Sequence, residues 1–230
     1  MKKTTAISLS KNYMKALLIL SFTIVGLLGC NKSVPTQPVD ENIPTTAVCN
    51  QVWMTKNLDV AFYRNGDAIP QVTDSLEWGN LTTGAWCYYN NDAANGRIYG
   101  KLYNWYAVND SRGLAPAGYH VSSDIEWTSL VTCLGGVDST AGGKIKEAGL
   151  VHWLSPNAGA TNSSGITCLP AGGRDYDGSF LFINSYAFLW SSTKDSSGKA
   201  WARSLYSGDS LILRFNDLKV IGYSVRCLKD

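Results

Sequence analysis

All eight tryptophans of this chain lie between Trp53 and Trp201, and none precedes Val48. An aromatic side chain buries roughly 150–250 Å² and is the largest single hydrophobic contribution a residue can make. The fold is therefore sought from Val48 to Asp230, a stretch long enough for one domain with a sizeable core. That stretch is rich in Gly, Asn, Ser and Tyr, which predicts a loop-rich globular protein and not a disordered one. Before it, Val34 to Thr46 is rich in Pro, Thr, Gln and Asn, with almost nothing to bury. It reads as an extended tether.

The segment ahead of the tether is of another kind. Ala16 to Leu28 is apolar apart from Ser21, Thr23 and Gly26, and Lys2, Lys3, Lys11 and Lys15 flank it with no acid before Cys30. It is too short to span a bilayer comfortably, which takes about 20 residues. It suits a signal-peptide core of about 7–15 residues behind a basic start. The run Leu27-Leu28-Gly29-Cys30 resembles a bacterial lipobox, cut before a cysteine that carries diacylglycerol. Three segments follow: residues 1–29 as signal peptide, with Met14-Lys15 an alternative start; 30–47 as lipidated cysteine and tether; 48–230 as the domain. Two or three acyl chains on Cys30, palmitate among them, at about 0.8 kcal/mol per buried methylene, make the membrane a durable partner. Asn31 stands where an inner-membrane retention aspartate would, so the expected address is the cell envelope as an outer-membrane lipoprotein. Asn31-Lys32-Ser33 is not acidic and leaves surface or periplasmic exposure open. Losing the four lysines takes the formal charge from +2 to −2. No basic cluster survives, and nucleic acid is not an expected partner.

Five cysteines remain after Cys30: Cys49, Cys87, Cys133, Cys168 and Cys227. The odd count leaves at least one unpaired or paired between chains. An oxidising compartment permits disulfides, but their connectivity is not encoded. No C-x-x-C spacing occurs, and His120 and His152 lie far from any cysteine in sequence, so a zinc site is not expected. Buried thiols are the expectation for most of the five.

Gln51 to Met54 has strand character, Asn65-Gly66-Asp67 is a turn, Trp78 to Thr83 reads as irregular, and Trp86 to Tyr89 as a second strand leading into Asn90-Asn91-Asp92. Leu102, Trp105 and Tyr106 fall at helical spacing and predict a first helix over 100–108. Ser123 and Glu126 form a capping box. Trp127, Leu130, Val131 and Leu134 then make one buried stripe, ended by Gly135-Gly136. Later, Asp177-Gly178 is a turn. Trp201, Arg203 and Leu205 alternate with Ala202, Ser204 and Tyr206, the period of a strand. Ser207-Gly208-Asp209 reverses it, and Leu211, Leu213 and Phe215 share a face opposite Ile212, Arg214 and Asn216. Gly222 to Leu228 makes a last strand. The fold class is α+β: two helices ahead of an antiparallel meander, loop-rich, without internal repeat.

Six ordered stretches carry a resemblance. They are Asn50 to Met54 with Asn57-Leu58; Tyr99 to Val108; Gly118 to Val121 with Glu126-Trp127; Leu169 to Arg174; Trp190 to Thr193; and Gly222 to Cys227. Together they resemble the Fibrobacter succinogenes major paralogous domain, from about Asn50 to Asp230. That family is common in lipoproteins of Bacteroidota. The resemblance implies a C-type lectin-like fold, in the variant shared with formylglycine-generating enzymes: two helices packed on twisted antiparallel sheets. It gives Trp105, Trp127, Trp190, Arg226 and Cys227 structural roles. The family's Cys-Pro is replaced here by Ala115-Pro116, which removes a partner for Cys227; Cys168 is the residue that would compensate.

Several chemistries can be weighed. An oxidase needs a copper-binding cysteine pair, and Cys133, Cys168 and Cys227 match no such motif, so fold likeness alone does not argue for one. A Ser-His-Asp hydrolase would have to use His120 or His152, and no G-x-S-x-G elbow is present. His120 reads as a hydrogen-bonded core residue and His152 as a loop residue. The sugar-binding calcium motifs of lectins are replaced by Ser155-Pro156-Asn157 and Trp190-Ser191-Ser192, which lack the carboxylates that calcium prefers. Asn90, Asn91 and Asp92, or Asp175 and Asp177, could hold a structural Ca²⁺, although a plain polar turn is the preferred reading. No other cofactor and no catalytic set is expected.

A binding role is preferred. Tyr206, Ser207, Asp209, Ser210, Arg214, Asn216 and Asp217 lie in or beside the loops joining the last strands. Such residue types offer aromatic area and adaptable hydrogen bonds on a rigid sheet. The expected function is a lipid-anchored envelope binding or adhesion module with a glycan or protein ligand. The alternatives are a cysteine-dependent oxidase or modifying enzyme on the same scaffold, and a structural envelope protein.

Overall fold

A computed structural model describes residues 43–136 and 140–230. The signal segment, Cys30 and the tether as far as residue 42 lie outside the described residues. The chain is α+β, with mostly antiparallel strands and five α-helices among the described residues.

Strand β1 (Thr45–Val48) takes in residues assigned above to the tether, and pairs antiparallel with β2 (Gln51–Met54). The turn between them is two residues long, and both Cys49 and Asn50 have positive φ. That is the turn geometry whose twist matches a hairpin. Helix α1 (Ser75–Gly79) follows, its first turn capped by the Asp74 side chain, which accepts from the Glu77 amide. It occupies the start of the segment expected to be irregular, and its one buried residue is Trp78. Strand β3 (Trp86–Cys87) is shorter than expected, because Asn90 and Asn91 adopt positive φ and turn the chain. Asp92 then caps α2 (Ala93–Tyr99).

The helix expected over 100–108 is mostly not helical. Gly100 sits at φ 74°, β4 (Leu102–Tyr103) pairs with β3, and only α3 (Trp105–Val108) is helical. The apolar residues there were at helical spacing, but Tyr103 exchanges backbone hydrogen bonds with Tyr223, a long-range pairing that overrides local preference. Beyond β5 (Tyr119–Val121), helix α4 (Asp124–Cys133) carries the expected capping box of Ser123 and Glu126 and buries Trp127, Leu130 and Val131. Short α5 (Ala141–Ile145) comes next.

The hairpin β6 (Gly173–Arg174) and β7 (Phe180–Leu181) encloses the expected turn at Asp177-Gly178. Then β8 (Tyr186–Lys194), β9 (Ala200–Tyr206) and β10 (Leu213–Asp217) form the antiparallel meander. The last segment is not a fourth meander strand. Its first part, β11 (Ser224–Val225), pairs parallel with β8, and its second, β12 (Cys227–Lys229), pairs antiparallel with β2 and β5. Two four-stranded sheets result, ordered β1-β2-β12-β5 and β10-β9-β8-β11. Arg226 is the residue at which the chain passes from one to the other.

Seven of the tryptophans are buried. One core cluster joins Trp105, Trp190 and Val225 to Met54; a second packs Trp127, Leu130 and Ile145 on Leu189 and Leu205; a third gathers around Trp78 and Tyr99. Cys49, in the first hairpin turn, is disulfide-bonded to Cys133 at the end of α4.

Candidate functional site

Residues opposite one another in the meander share a face. Ala187, Leu189, Leu205 and Arg203 turn toward α4, where Trp127 and Leu130 complete the core. The other face carries Tyr186, Phe188 and Trp190 on β8, Ala202, Ser204 and Tyr206 on β9, and Leu213, Phe215 and Asp217 on β10. It is paved with near-parallel rings. Tyr206 lies 4.6 Å from Tyr186 at 21°, Tyr186 lies 5.3 Å from Phe188 at 1°, and Phe188 lies 4.9 Å from Tyr223 at 22°. Phe182 flanks the run, 5.2 Å from Tyr186. Exposure grades along it, from Trp190 at 0% and Tyr223 at 7% to Tyr206 at 40%, with Phe182 and Leu213 both at 52%. The face thus passes from core to surface while keeping its aromatic character, on the backing of a paired sheet.

The seven candidate residues do not form one surface. Tyr206 and Asp217 lie on the aromatic face, at opposite ends of the β9–β10 pairing. Asp217 accepts from the Tyr223 hydroxyl and from the Leu218 amide, both at 2.7 Å. Ser207 is buried, and its carbonyl accepts from the Ala158 amide. Asp209 accepts from the Leu211 amide, and the Ser210 carbonyl from the Gly143 amide. This turn is braced from beneath. Lys146, buried, donates to the carbonyls of Ala158, Tyr206 and Asp209 at 2.7–3.0 Å. Those three acceptors match the three N–H groups of an ammonium, while burial pushes the Lys146 pKa down to about 8. A Cβ on Gly142 would run into the Leu211 carbonyl and one on Gly143 into that of Gly159, so α5 approaches the turn as only glycine can.

Arg214 is on the opposite face. It grips the Asp124 carboxylate at 2.9 Å and lies 3.3 Å over the Trp201 ring. Buried Arg203 shares the same carboxylate at 2.7 Å. Burial works to raise the Asp124 pKa, but hydrogen bonds from Arg214 and Arg203 outweigh it and hold it low. Asn216 donates to Asp195 at 2.6 Å. The residues missed were the floor itself: Tyr186, Phe188, Phe182 and Tyr223. The alternation Tyr186-x-Phe188-x-Trp190 was the available signal, and it marks the strand face by its period of two.

The family model for the Fibrobacter succinogenes major domain matches residues 47–229. The chain belongs to this family. No curated protein and no solved structure matches it.

The stretches shared with the Fibrobacter succinogenes major domain now have physical roles. In the last of them Arg226 is fully buried and donates to the carbonyls of Met54, Ile166 and Thr167 and to the Asn57 side chain, at 2.7–2.9 Å. Arg174, in the fourth, donates to the carbonyls of Val72, Thr73, Asp74 and Gly178. Both arginines satisfy carbonyls at strand ends and in irregular backbone. Trp105 and Trp190 each donate an indole N–H to a buried carbonyl, of Ser191 and of Tyr103. Trp127 packs 4.5 Å from Trp53.

Cys87, Cys168 and Cys227 are buried free thiols in this major domain, so Cys168 does not stand in as a partner for Cys227. Burial pushes Cys87 and Cys227 up to about 12 and also raises Cys168. Cys133 is spent in the disulfide. His120 is not a core residue. Half-exposed, it bridges two carboxylates, Nε2 to Glu126 and Nδ1 to Asp230, both at 2.7 Å. His152 lies on a loop, its Nδ1 2.9 Å from Glu147. At the two loops considered for calcium, Asp92 caps α2 through the Ala94 amide, and Asn91 donates to Thr73. Asp175 and Asp177 accept from Tyr176 and Ser179 amides.

Proposed function

We propose that the chain is a lipid-anchored binding or adhesion module of the cell envelope, of the outer membrane, with Cys30 as the lipidated residue. It offers its C-terminal sheet to a glycan or protein ligand. The observation that carries this reading is the aromatic run from Tyr206 to Tyr223, rigidly backed and open at one end. Flat rings at a surface give contact area at little entropic cost, and the braced Ser207–Ser210 turn beside them fixes the rim. The pairing of the first hairpin with the last strand, beside a separate meander sheet, supports the finer assignment to a C-type lectin-like fold. Thiols held protonated by burial favour binding over thiol-based oxidation.

The test is capture of envelope components by the full chain, with a glycan array in parallel. Tyr206→Ala and Leu213→Ala are expected to weaken capture by about tenfold or more, as truncation of a central aromatic anchor does, without lowering the thermal midpoint. Capture unaffected by either variant, or no ligand on either platform, overturns the reading.

A further inference from the structure

At its inner end the aromatic run borders a cavity of about 210 Å³. Phe182, Phe188 and Tyr223 line it together with the carboxylates of Asp175 and Asp217. The volume falls below the roughly 300–1,000 Å³ of sites for drug-sized ligands, so it suits one head group and not a whole ligand. Two acidic residues against one arginine make its formal charge net negative. Neither Asp175 nor Asp217 has an ion-pair partner among the described residues. Arg174 shares the rim, but its guanidinium is occupied by four carbonyls and stacks 4.5 Å from the Trp78 ring. Burial and then the negative charges of Asp217 and Asp175 push the Tyr223 pKa far up, so its hydroxyl remains a donor to Asp217.

The lining narrows the occupant. Each Asp217 oxygen accepts one bond, from Tyr223 or Leu218, and one Asp175 oxygen accepts from the Tyr176 amide, so both carboxylates keep lone pairs while the aromatic walls offer no acceptor. A primary ammonium would have to satisfy its three donors on the carboxylate side alone. A quaternary ammonium brings none, and asks only for negative charge and aromatic walls. We infer that this cavity binds a quaternary ammonium head group of the choline type, carried by the ligand of the C-terminal face. The inference rests on the reading of that face as a contact surface.

Choline titrated into the full chain in a choline-free neutral detergent, followed by calorimetry and by the aromatic proton resonances, tests it. Saturable binding is expected, about tenfold tighter than for the neutral isostere 3,3-dimethylbutan-1-ol or for ethanolamine. Asp217→Asn and Phe188→Leu should each weaken it by a similar factor; Asp175→Asn, in the β6–β7 hairpin, serves if either of those fails to fold. Equal binding of the isostere, equal binding of ethanolamine, or no saturation overturns the inference. Loss of choline binding with Tyr206-dependent envelope capture intact removes the cavity alone. Saturable choline binding with no envelope capture supports the cavity and removes the broader reading.

Discussion

His120 shows how one side chain ties separate elements together. Its ring joins β5 to the N-terminal turn of α4 through Glu126 and to Asp230 after β12. Burial works to lower the His120 pKa, but the bonds to Asp230 and Glu126 outweigh it, and the net shift is upward. Below the ordinary histidine value of about 6.5 the bridge is fully present, and it is lost as pH rises through the raised folded value. Glu126 behaves oppositely. Burial works to raise its pKa, but bonds from Ser123 and His120 outweigh it, and its contribution disappears as pH falls through the depressed value. Urea midpoints should therefore decline as pH rises above about 6.5, and His120→Gln should flatten that decline. The ring is 41% exposed, so solvent screening keeps the change modest. The same pH dependence in the wild type and in His120→Gln would exclude the bridge.

At the scale of elements, the first hairpin and α4 act as one unit. The hairpin turn presents Cys49, α4 ends on Cys133, and Trp53 packs on Trp127 between them. The disulfide closes a loop with a sequence separation of 84, for which chain entropy predicts roughly 4.5 kcal/mol, and measured losses run about 2–5 kcal/mol. The double variant Cys49→Ala with Cys133→Ala should lose stability in that range by urea melting. Alkylation of the denatured but unreduced chain should mark Cys87, Cys168 and Cys227 and spare Cys49 and Cys133. Labelling of Cys49 under those conditions would refute the pairing.

For the whole molecule, the anchor and the sheet face are separate propositions. Residues 1–42 contribute through sequence alone, and among the described residues no helix is long and apolar enough to cross a membrane. In the proposed reading, attachment comes from acylation at Cys30. Intact mass of the membrane-extracted chain should give a Cys30 amino terminus carrying diacylglycerol, and Cys30→Ser should release the domain from membranes. Protease shaving of whole cells then decides whether the aromatic face meets external partners. An unmodified, uncleaved chain in the cytosol would defeat the envelope assignment.

Local signals in this sequence specify local things. The capping box and stripe of α4, the Asn65-Gly66-Asp67 and Asp177-Gly178 turns, and the alternation of Trp201, Arg203 and Leu205 were legible because each depends on neighbours within a turn or a strand period. The ordered motifs were enough to place the chain in its family. Long-range pairing was not legible. Residues 102–103 became a strand through Tyr223, and the final segment divided at Arg226 between two sheets, because backbone groups there are satisfied by partners distant in sequence, on β4, β8, β2 and β5. The same holds for the site. Tyr206 and Asp217 were named from the sequence, but Ser207 is buried, carbonyls at the turn face inward to Lys146, and Arg214 is committed to Asp124. Which side chains stay free to meet a ligand is set by which buried charges and carbonyls claim the others, and only the tertiary structure decides that.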